Sequence, residues 1–514
     1  MNNNRFYILY MAASMVLGSL SSCISDDSTL DTNQLPTLSI KGDDAETMPT
    51  YNIDLGTDCV ITPDIAYSGG DASTLQYQWQ VGTYVNGQKG DLEDAGTNPT
   101  FDSKFKSGGS YYVHLTVTDG RVGKAIDYRV NVNRTFEEGF LLTSTDADGR
   151  GNLVFVKTLT PEETAAGKQN VIIEHSFEAM NEGFSEDGLV GAITATVSWP
   201  KSLTRVLLST KEHCYIIDPN NFTVLTDINY TDLEPGFKAT GFYNDTYNPY
   251  AYDAEKKKYA FINLTYMFPF ESDTYADFHP SDILVGKYKG YQGVSYATYY
   301  PDYQANTVAA YNQYAAYYGG EAFPNTGSNL AGYKLIAPFS ALQPDDATYV
   351  TYNYIMAQQE ATGDVCLWTF SASAQSPFPD SGFSSCKRTA TNSETAVPSQ
   401  GTVFVGSPTY QRMFYYLGNC VYVYLPNAAT FSLPTKSQYA LKFGDNEEVT
   451  FMDTNFDTDE LYVATYDNAA RRGSLYVYDC KDVRTDNGGN VQPKKVFEHC
   501  AGRISSLFYK TSIQ

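Results

Sequence analysis

The chain has 514 residues, a formal net charge of -24 and 43 tyrosines. Nucleic acid and anionic membrane faces both demand clustered Lys and Arg, so this charge balance argues against either as a partner of the folded body. Aromatics make up 14% of the chain; Tyr, Val, Thr and Phe suit half-buried pleated surfaces, and the fold class they predict is all-β. The length is enough for two or more domains with their own cores.

At the N-terminus, Met1-Asn2-Asn3-Asn4-Arg5 precedes an apolar run from Phe6 to Leu20, broken by Ser14, Gly18 and Ser19. One basic residue before a short apolar run has the form of a secretory signal, and the run is short for an isolated membrane-spanning helix. Leu20-Ser21-Ser22-Cys23 resembles the bacterial lipobox, which implies a signal peptide over 1–22 and acylation of Cys23. Each buried methylene of an acyl chain adds about 0.8 kcal/mol, so two or three chains exceed the marginal hold of one. The next residues, Cys23-Ile24-Ser25-Asp26-Asp27, resemble the acidic export signal of Bacteroidota lipoproteins. That resemblance implies an outer-membrane, lipid-anchored and surface-exposed protein, with Ser25, Asp26 and Asp27 as the address. Residues 23–34, mostly Ser, Asp, Thr and Asn from Ser25 to Gln34 with little to bury, read as a flexible acidic tether.

From residue 35 to 134 the chain alternates in short strands, among them Thr37-Leu38-Ser39-Ile40, Asp58-Cys59-Val60-Ile61 and Leu75-Gln76-Tyr77-Gln78-Trp79-Gln80-Val81. The clearest strand runs Tyr111 to Thr118, with Tyr111, Val113, Leu115 and Val117 on one face and Asp119-Gly120 as its closing turn. A hundred residues of this pattern with a Trp on a middle strand predict an immunoglobulin-like sandwich. The Tyr77-Gln78-Trp79 and Tyr111-x-Val113-x-Leu115-x-Val117-x-Asp119 motifs resemble the polycystic-kidney-disease (PKD) domain. The whole chain resembles PKD-like lipoproteins of Bacteroidota. Such domains are spacers or contact modules, so the motif implies architecture more than chemistry.

From 135 to 514 the pattern becomes a series of hairpins. Gly139 to Ser144 turns into Leu153 to Val156, Arg205 to Ser209 into Tyr215 to Asp218, Met413 to Tyr416 into Val421 to Tyr424, and Leu461 to Tyr466 into Ser474 to Asp479. Each reads as an inner strand, a tight turn and an outer strand often ending in Asp, the form of a propeller blade. The last two units are about 54 residues apart, which predicts about seven blades. Ile504 to Tyr509 supplies a strand to complete the ring. The rival architecture is a second and third sandwich.

Few residue clusters point to chemistry. The five histidines, His114, His175, His213, His279 and His499, form no HxH or HExxH spacing, and neither GxSxG nor a phosphate loop is present. Carboxylates are plentiful, but no pair stands out as buried neighbours for glycoside hydrolysis; the reading is therefore not an enzyme. No cofactor is expected beyond a possible structural calcium. The two Asp-rich runs open to it, Asp146 to Gly149 and Asp453 to Glu460, serve equally well as turns. Of the eight cysteines, seven remain beside Cys23, without CxxC spacing; Cys480 with Cys500 and Cys366 with Cys386 are the pairs open to oxidation.

The most unusual stretch is the Tyr-rich insertion near 288–320, nearly uncharged. Its tyrosines Tyr299, Tyr300, Tyr303, Tyr311, Tyr314 and Tyr318 are the candidate ligand or partner contacts, because Tyr combines large contact area with a hydroxyl. Ala309 to Tyr318 reads as one short helix with Tyr311, Tyr314 and Tyr318 on one side. The opposing reading packs these rings onto the propeller. The family resemblance implies a non-catalytic accessory component of a SusC/SusD-type importer that binds oligosaccharide or peptide, with the importer subunits as partners. A purely structural importer subunit, and a surface hydrolase with a propeller active site, stand as alternatives. The anchor makes the first prediction: Cys23→Ala releases the protein from the membrane fraction or stalls its processing. Fractionation of cells that leaves the mutant on the membrane and open to added protease would refute it.

Overall fold

The computed structural model describes residues 35–511, apart from 44–46, 198–202, 245–248, 264–267, 274–296, 313–329, 345–348, 371–385, 427–430 and breaks of one or two residues. Cys23, Ser25, Asp26 and Asp27 thus lie outside the described residues, as do Tyr314 and Tyr318. Among the described residues no helix is long and apolar enough to cross a membrane. The architecture is nearly all β.

The N-terminal part is two layers of strands around one core. The larger sheet orders Thr50–Asp54, Gly123–Asn133, Gly109–Thr118 and Gln76–Val85 side by side, with Gln88–Lys89 and Glu93–Gly96 pairing to the last. The opposing layer is two strand pairs, Leu38–Ile40 with Ile65–Tyr67 and Asp58–Ile61 with Phe101–Lys104. Strict alternation drives this packing, because a period of two places every second side chain on the core face. Val113, Leu115 and Val117 are buried, while His114, Thr116 and Thr118 between them are only half-buried. Trp79 is 1% exposed, 5.5 Å from the Phe101 ring, and its indole N–H donates to the Asn98 carbonyl at 2.7 Å. Asp119, the last residue of the Tyr111-to-Asp119 motif, accepts the backbone N–H groups of Arg121 and Val122 and the hydroxyl of Tyr67. It therefore closes the turn at Gly120, whose φ is +86°, and ties it to the opposing layer.

The rest of the chain is propeller-like. Among the described residues, six four-stranded antiparallel sheets and one two-stranded ribbon follow one another. Four of the sheets hold the hairpins read from the sequence, but each hairpin supplies the two middle strands, not an inner and an outer one. In the second sheet, for example, the order is Leu189–Val197, Leu203–Thr210, His213–Ile217, Val224–Asn229. The middle strands read most clearly because they are paired on both edges and carry the most continuous apolar runs. The C-terminal strand Arg503–Lys510 pairs with Gly139–Thr145 and becomes the first strand of the first sheet. Phe140 on that sheet meets Tyr462 and Phe497 of the last sheet edge-on, at 5.0 and 5.7 Å.

Turns between paired strands share one device. Asp146, Asp253, Asp302 and Asp467 each accept, through Oδ1, the backbone N–H two residues on, at 2.7–3.1 Å. An Asp in this position mimics a backbone turn. Asp218, just past a strand, and Asp479, the last residue of one, do the same for Asn220 and Lys481. These bonds assign the first Asp-rich run to turn formation. In the second run, Asn455 Oδ1 takes the N–H groups of Asp457 and Thr458, and Asp459 takes the hydroxyls of Ser407 and Thr409. Among the described residues no three His, Cys, Asp or Glu side chains gather to hold a metal ion.

The two parts meet at a built joint. Phe136 is buried and stacks on Phe222 with centroids 4.0 Å apart, and meets Phe155 edge-on at 5.1 Å. Its N–H donates to the Asn220 carbonyl and its own carbonyl accepts from Lys510 Nζ. One apolar cluster runs from Trp79 and Val130 through Phe136 to Phe155 and Val206. The junction near 133–138 is thus more than a bare linker, a point the sequence did not signal.

Of the helix expected over Ala309 to Tyr318, the part among the described residues is instead strand: Thr307–Asn312 pairs with Ala297–Asp302. Asn306 takes a left-handed turn at φ +55°, and its side chain donates to the Tyr333 carbonyl and accepts the Leu335 N–H. That amide bridges the ribbon to the neighbouring sheet, a tertiary tie that overrides local helix propensity. The seven described cysteines are free thiols. Cys480 and Cys500 belong to separate core clusters and do not pair. Truncating either anchor ring leaves a cavity, so Trp79→Ala and Phe136→Ala should each cost about 3–5 kcal/mol of stability. Calorimetry that finds either variant melting like the parent would remove that residue from the core.

Candidate functional site

The Gln76–Val85 strand alternates Gln76, Gln78 and Gln80 with Tyr77, Trp79 and Val81. Because Trp79 points into the core, the three glutamines form a row on the open face of the larger sheet. Register sets Thr118 opposite Gln76, Thr116 opposite Gln78 and His114 opposite Gln80. The neighbouring Glu93–Gly96 strand pairs with a register shift, a bulge that brings the Asp94 carboxylate over this row. Asp94 Oδ1 accepts the side-chain amides of Gln80 at 2.9 Å and Gln78 at 3.3 Å. The result is an open groove of about 310 Å³, lined by Gln76, Gln78, Asp94, Thr97, Thr116 and Thr118 over the backbone of Tyr77 and Trp79.

Beyond the groove the same face continues as a hydrogen-bonded row. His114 Nδ1 lies 2.7 Å from Asp127 Oδ1, its other nitrogen 3.3 Å from Thr116 Oγ1, and Lys89 pairs with the second Asp127 oxygen. Burial works to raise Asp127, but the hydrogen bonds from Lys89 and His114 outweigh it and hold the carboxyl below its usual range. Chemically, the groove offers amides, hydroxyls and one fixed carboxylate. Of the lining hydroxyls, that of Thr116 lies 3.3 Å from the His114 ring.

A second polar cluster lies where the first sheet meets the second. Glu186 is fully buried; its carboxylate accepts the backbone N–H groups of Leu153, Phe177 and Glu178, and lies 3.2 Å from His175 Nδ1. Arg150 grips both Glu178 oxygens and, through Nε, Asp187. Arg472 reaches across from the last sheet to Glu174 at 2.6 Å. The hydrogen bond that His175 donates to Glu186 raises it above the ordinary imidazole value, and the Glu186 charge adds to it, against burial and the Arg150 charge. With its carboxylate committed to three backbone N–H groups, Glu186 ties His175 to the first sheet, and the pair forms a buried clasp.

Four of the six predicted tyrosines lie among the described residues, all on one ribbon or in its turn. Tyr299 and Tyr300 fall on the first strand of the ribbon and Tyr311 on the second, opposite Thr298. Tyr303 sits in the ribbon's turn, half-buried against the cluster of Val308, Leu335 and Trp368, and burial raises its hydroxyl well above the usual value. The sequence reading overlooked the glutamine row, although the alternation of Gln76, Gln78 and Gln80 was its signal.

No family model matches the chain, and no curated protein matches it. Among solved structures the chain is similar to a quinonprotein alcohol dehydrogenase-like protein from Bacteroides thetaiotaomicron, at 14% identity and TM-score 0.47, over 92% of this chain and 99% of that one. It is also similar to a putative 6-phosphogluconolactonase from Bacteroides uniformis, at 9% identity and TM-score 0.38, over 85% and 99% of the two chains.

The His175–Glu186 clasp generates a pH prediction. Since the folded-state value of His175 is raised, its stabilisation is fully present below the unfolded value near 6.5 and is lost as pH rises through the folded value. Melting temperature should therefore fall on going upward from about pH 6.5, and His175→Gln should flatten that part of the profile. An unchanged slope in the variant would show that the clasp does not titrate in this window.

Proposed function

We propose that this chain is a non-catalytic surface lipoprotein, anchored through Cys23, that captures neutral oligosaccharide for a SusC/SusD-type importer. The observation that carries the reading is the chemistry of the groove, where Asp94 is the single charged side chain among lining amides and hydroxyls. Amides and hydroxyls both donate and accept, which suits a ligand made of hydroxyl groups, and a fixed carboxylate accepts from neighbouring hydroxyls more strongly than a neutral oxygen does. A net charge of -24 further disfavours anionic ligands.

In this reading the N-terminal part is a PKD-like, immunoglobulin-like sandwich. The buried Trp79 and the turn-closing Asp119 support it, since they give the Tyr77-to-Trp79 and Tyr111-to-Asp119 motifs structural roles. The remainder is a seven-bladed propeller in which the ribbon counts as the fourth blade; the six four-stranded sheets around it support that count. The importer subunits dock on the propeller, and the sandwich presents the sugar.

Asp94→Ala tests the reading. Losing a hydrogen bond to a charged group costs about 1.5–3 kcal/mol, so glycan affinity should drop roughly 10- to 150-fold. Melting temperature should hardly change, because the Glu93–Gly96 strand is exposed throughout. A neutral-glycan panel titrated by calorimetry decides it: equal affinity in parent and variant, or no glycan bound by the parent, would sink the proposal.

A further inference from the structure

Cys366 and Cys386 are separated in sequence but meet in space. Cys366 lies on Val365–Phe370, a middle strand, and is fully buried; Cys386 is half-buried against the same cluster. The next strand, Lys387–Thr389, pairs with it so that Arg388 stands directly opposite Cys366. Cys386 is the residue just before that strand, one position outside the ladder, so its backbone can shift without breaking strand pairing. Cys386 falls two residues before Arg388, the ladder partner of Cys366, and both cysteines pack in the one apolar cluster. Arg388 completes the cluster: its guanidinium interacts with Cys366 and is held by the Tyr333 hydroxyl at 3.2 Å and the Asp364 carboxylate at 3.9 Å.

We propose that Cys366 and Cys386 are a disulfide-forming pair, oxidised by thiol–disulfide exchange with a small-molecule or protein disulfide. This goes beyond glycan capture, and its occurrence in the cell rests on the export reading, since such oxidants act outside the cytoplasm.

The order of events follows from exposure. Cys386, the accessible thiol, loses its proton and attacks one sulfur of the oxidant, expelling one thiolate and leaving a mixed disulfide. Cys366 then loses its proton and attacks the Cys386 sulfur, expelling the second thiolate. Two protein thiols are oxidised by two electrons and one oxidant disulfide becomes two thiols. Burial pushes the Cys366 thiol up to about 11, with its hydrogen bond to Cys386 adding to the rise, while the Arg388 charge works the other way and favours the attacking thiolate. The other five described cysteines, Cys59, Cys214, Cys420, Cys480 and Cys500, each fall in a different apolar cluster. Once formed, the bond would fasten the short Lys387–Thr389 edge strand to the middle of its sheet, constraining the chain between the two cysteines.

Purified reduced protein, incubated with oxidised glutathione, quenched in acid, alkylated under denaturing conditions and digested, gives a direct readout by mass spectrometry. The expected product is one cross-linked peptide pair joining Cys366 to Cys386, two hydrogens lighter than the reduced peptides, with Cys59, Cys214, Cys420, Cys480 and Cys500 alkylated. Cys366→Ser should instead accumulate a stable glutathione adduct on Cys386. Full alkylation of both thiols in the parent, or a Cys386 adduct that never resolves there, would overturn the proposal. So would absence of the adduct in the variant. Protein that closes the bond with glutathione yet is harvested reduced from cells upholds the pairing and counts against export instead.

Discussion

The pairing of Arg503–Lys510 with Gly139–Thr145 is the constraint on which the rest of the propeller-like part depends. It joins the two ends of that part, so the first sheet is not complete until the last residues arrive. Without it the Gly139–Thr145 strand would be left with an unpaired edge, open to other chains. The closure is costly in chain entropy, though the cost grows only slowly with loop length. Buried contacts offset it: Phe140 packs among Tyr462, Phe497 and Tyr509. Lys510, the last residue of the closing strand, also donates to the Phe136 carbonyl. The bond that ends the ring therefore steadies the joint to the sandwich.

Strong acidity has a local explanation as well as a global one. Many carboxylates are committed to backbone N–H groups in turns, as at Asp146, Asp253, Asp302 and Asp467. Such bonds replace lost solvation at little cost because each turn exposes its donors in a fixed pattern. Glu186 is the extreme case, with no exposure and three backbone donors. A buried carboxylate without them would be severely destabilising. Charge that looks like a ligand cage in the sequence is here largely scaffolding.

The groove on the sandwich follows from the same alternation that builds its core. The strand that buries Trp79 must present its neighbours outward, and here those neighbours are glutamines. The bulge beside them adds the groove's single carboxylate, that of Asp94. Fold and site thus share one strand, and a register slip of one residue would expose Trp79 and bury the glutamines together.

The sequence by itself determined what short-range periodicity encodes: the all-β character, the hairpins at Gly139, Arg205, Met413 and Leu461, the closing strand from Ile504, and the burial of Trp79. Period-two alternation and turn residues act over a few neighbours, so they survive without tertiary knowledge. Half of the candidate site was legible in this way, since the glutamine row is written in the Gln76–Val81 alternation, whereas Asp94 joins it only through a bulge in another strand. Tertiary structure decided whatever depends on residues distant in the chain. It made a strand of Thr307–Asn312 by anchoring Asn306 to Tyr333 and Leu335, seated Phe136 between Phe155 and Phe222, set Glu186 beside His175, and brought Cys386 against Cys366. In each case the deciding energy is a contact or hydrogen bond across the fold, and local sequence carries no record of which distant partner will supply it.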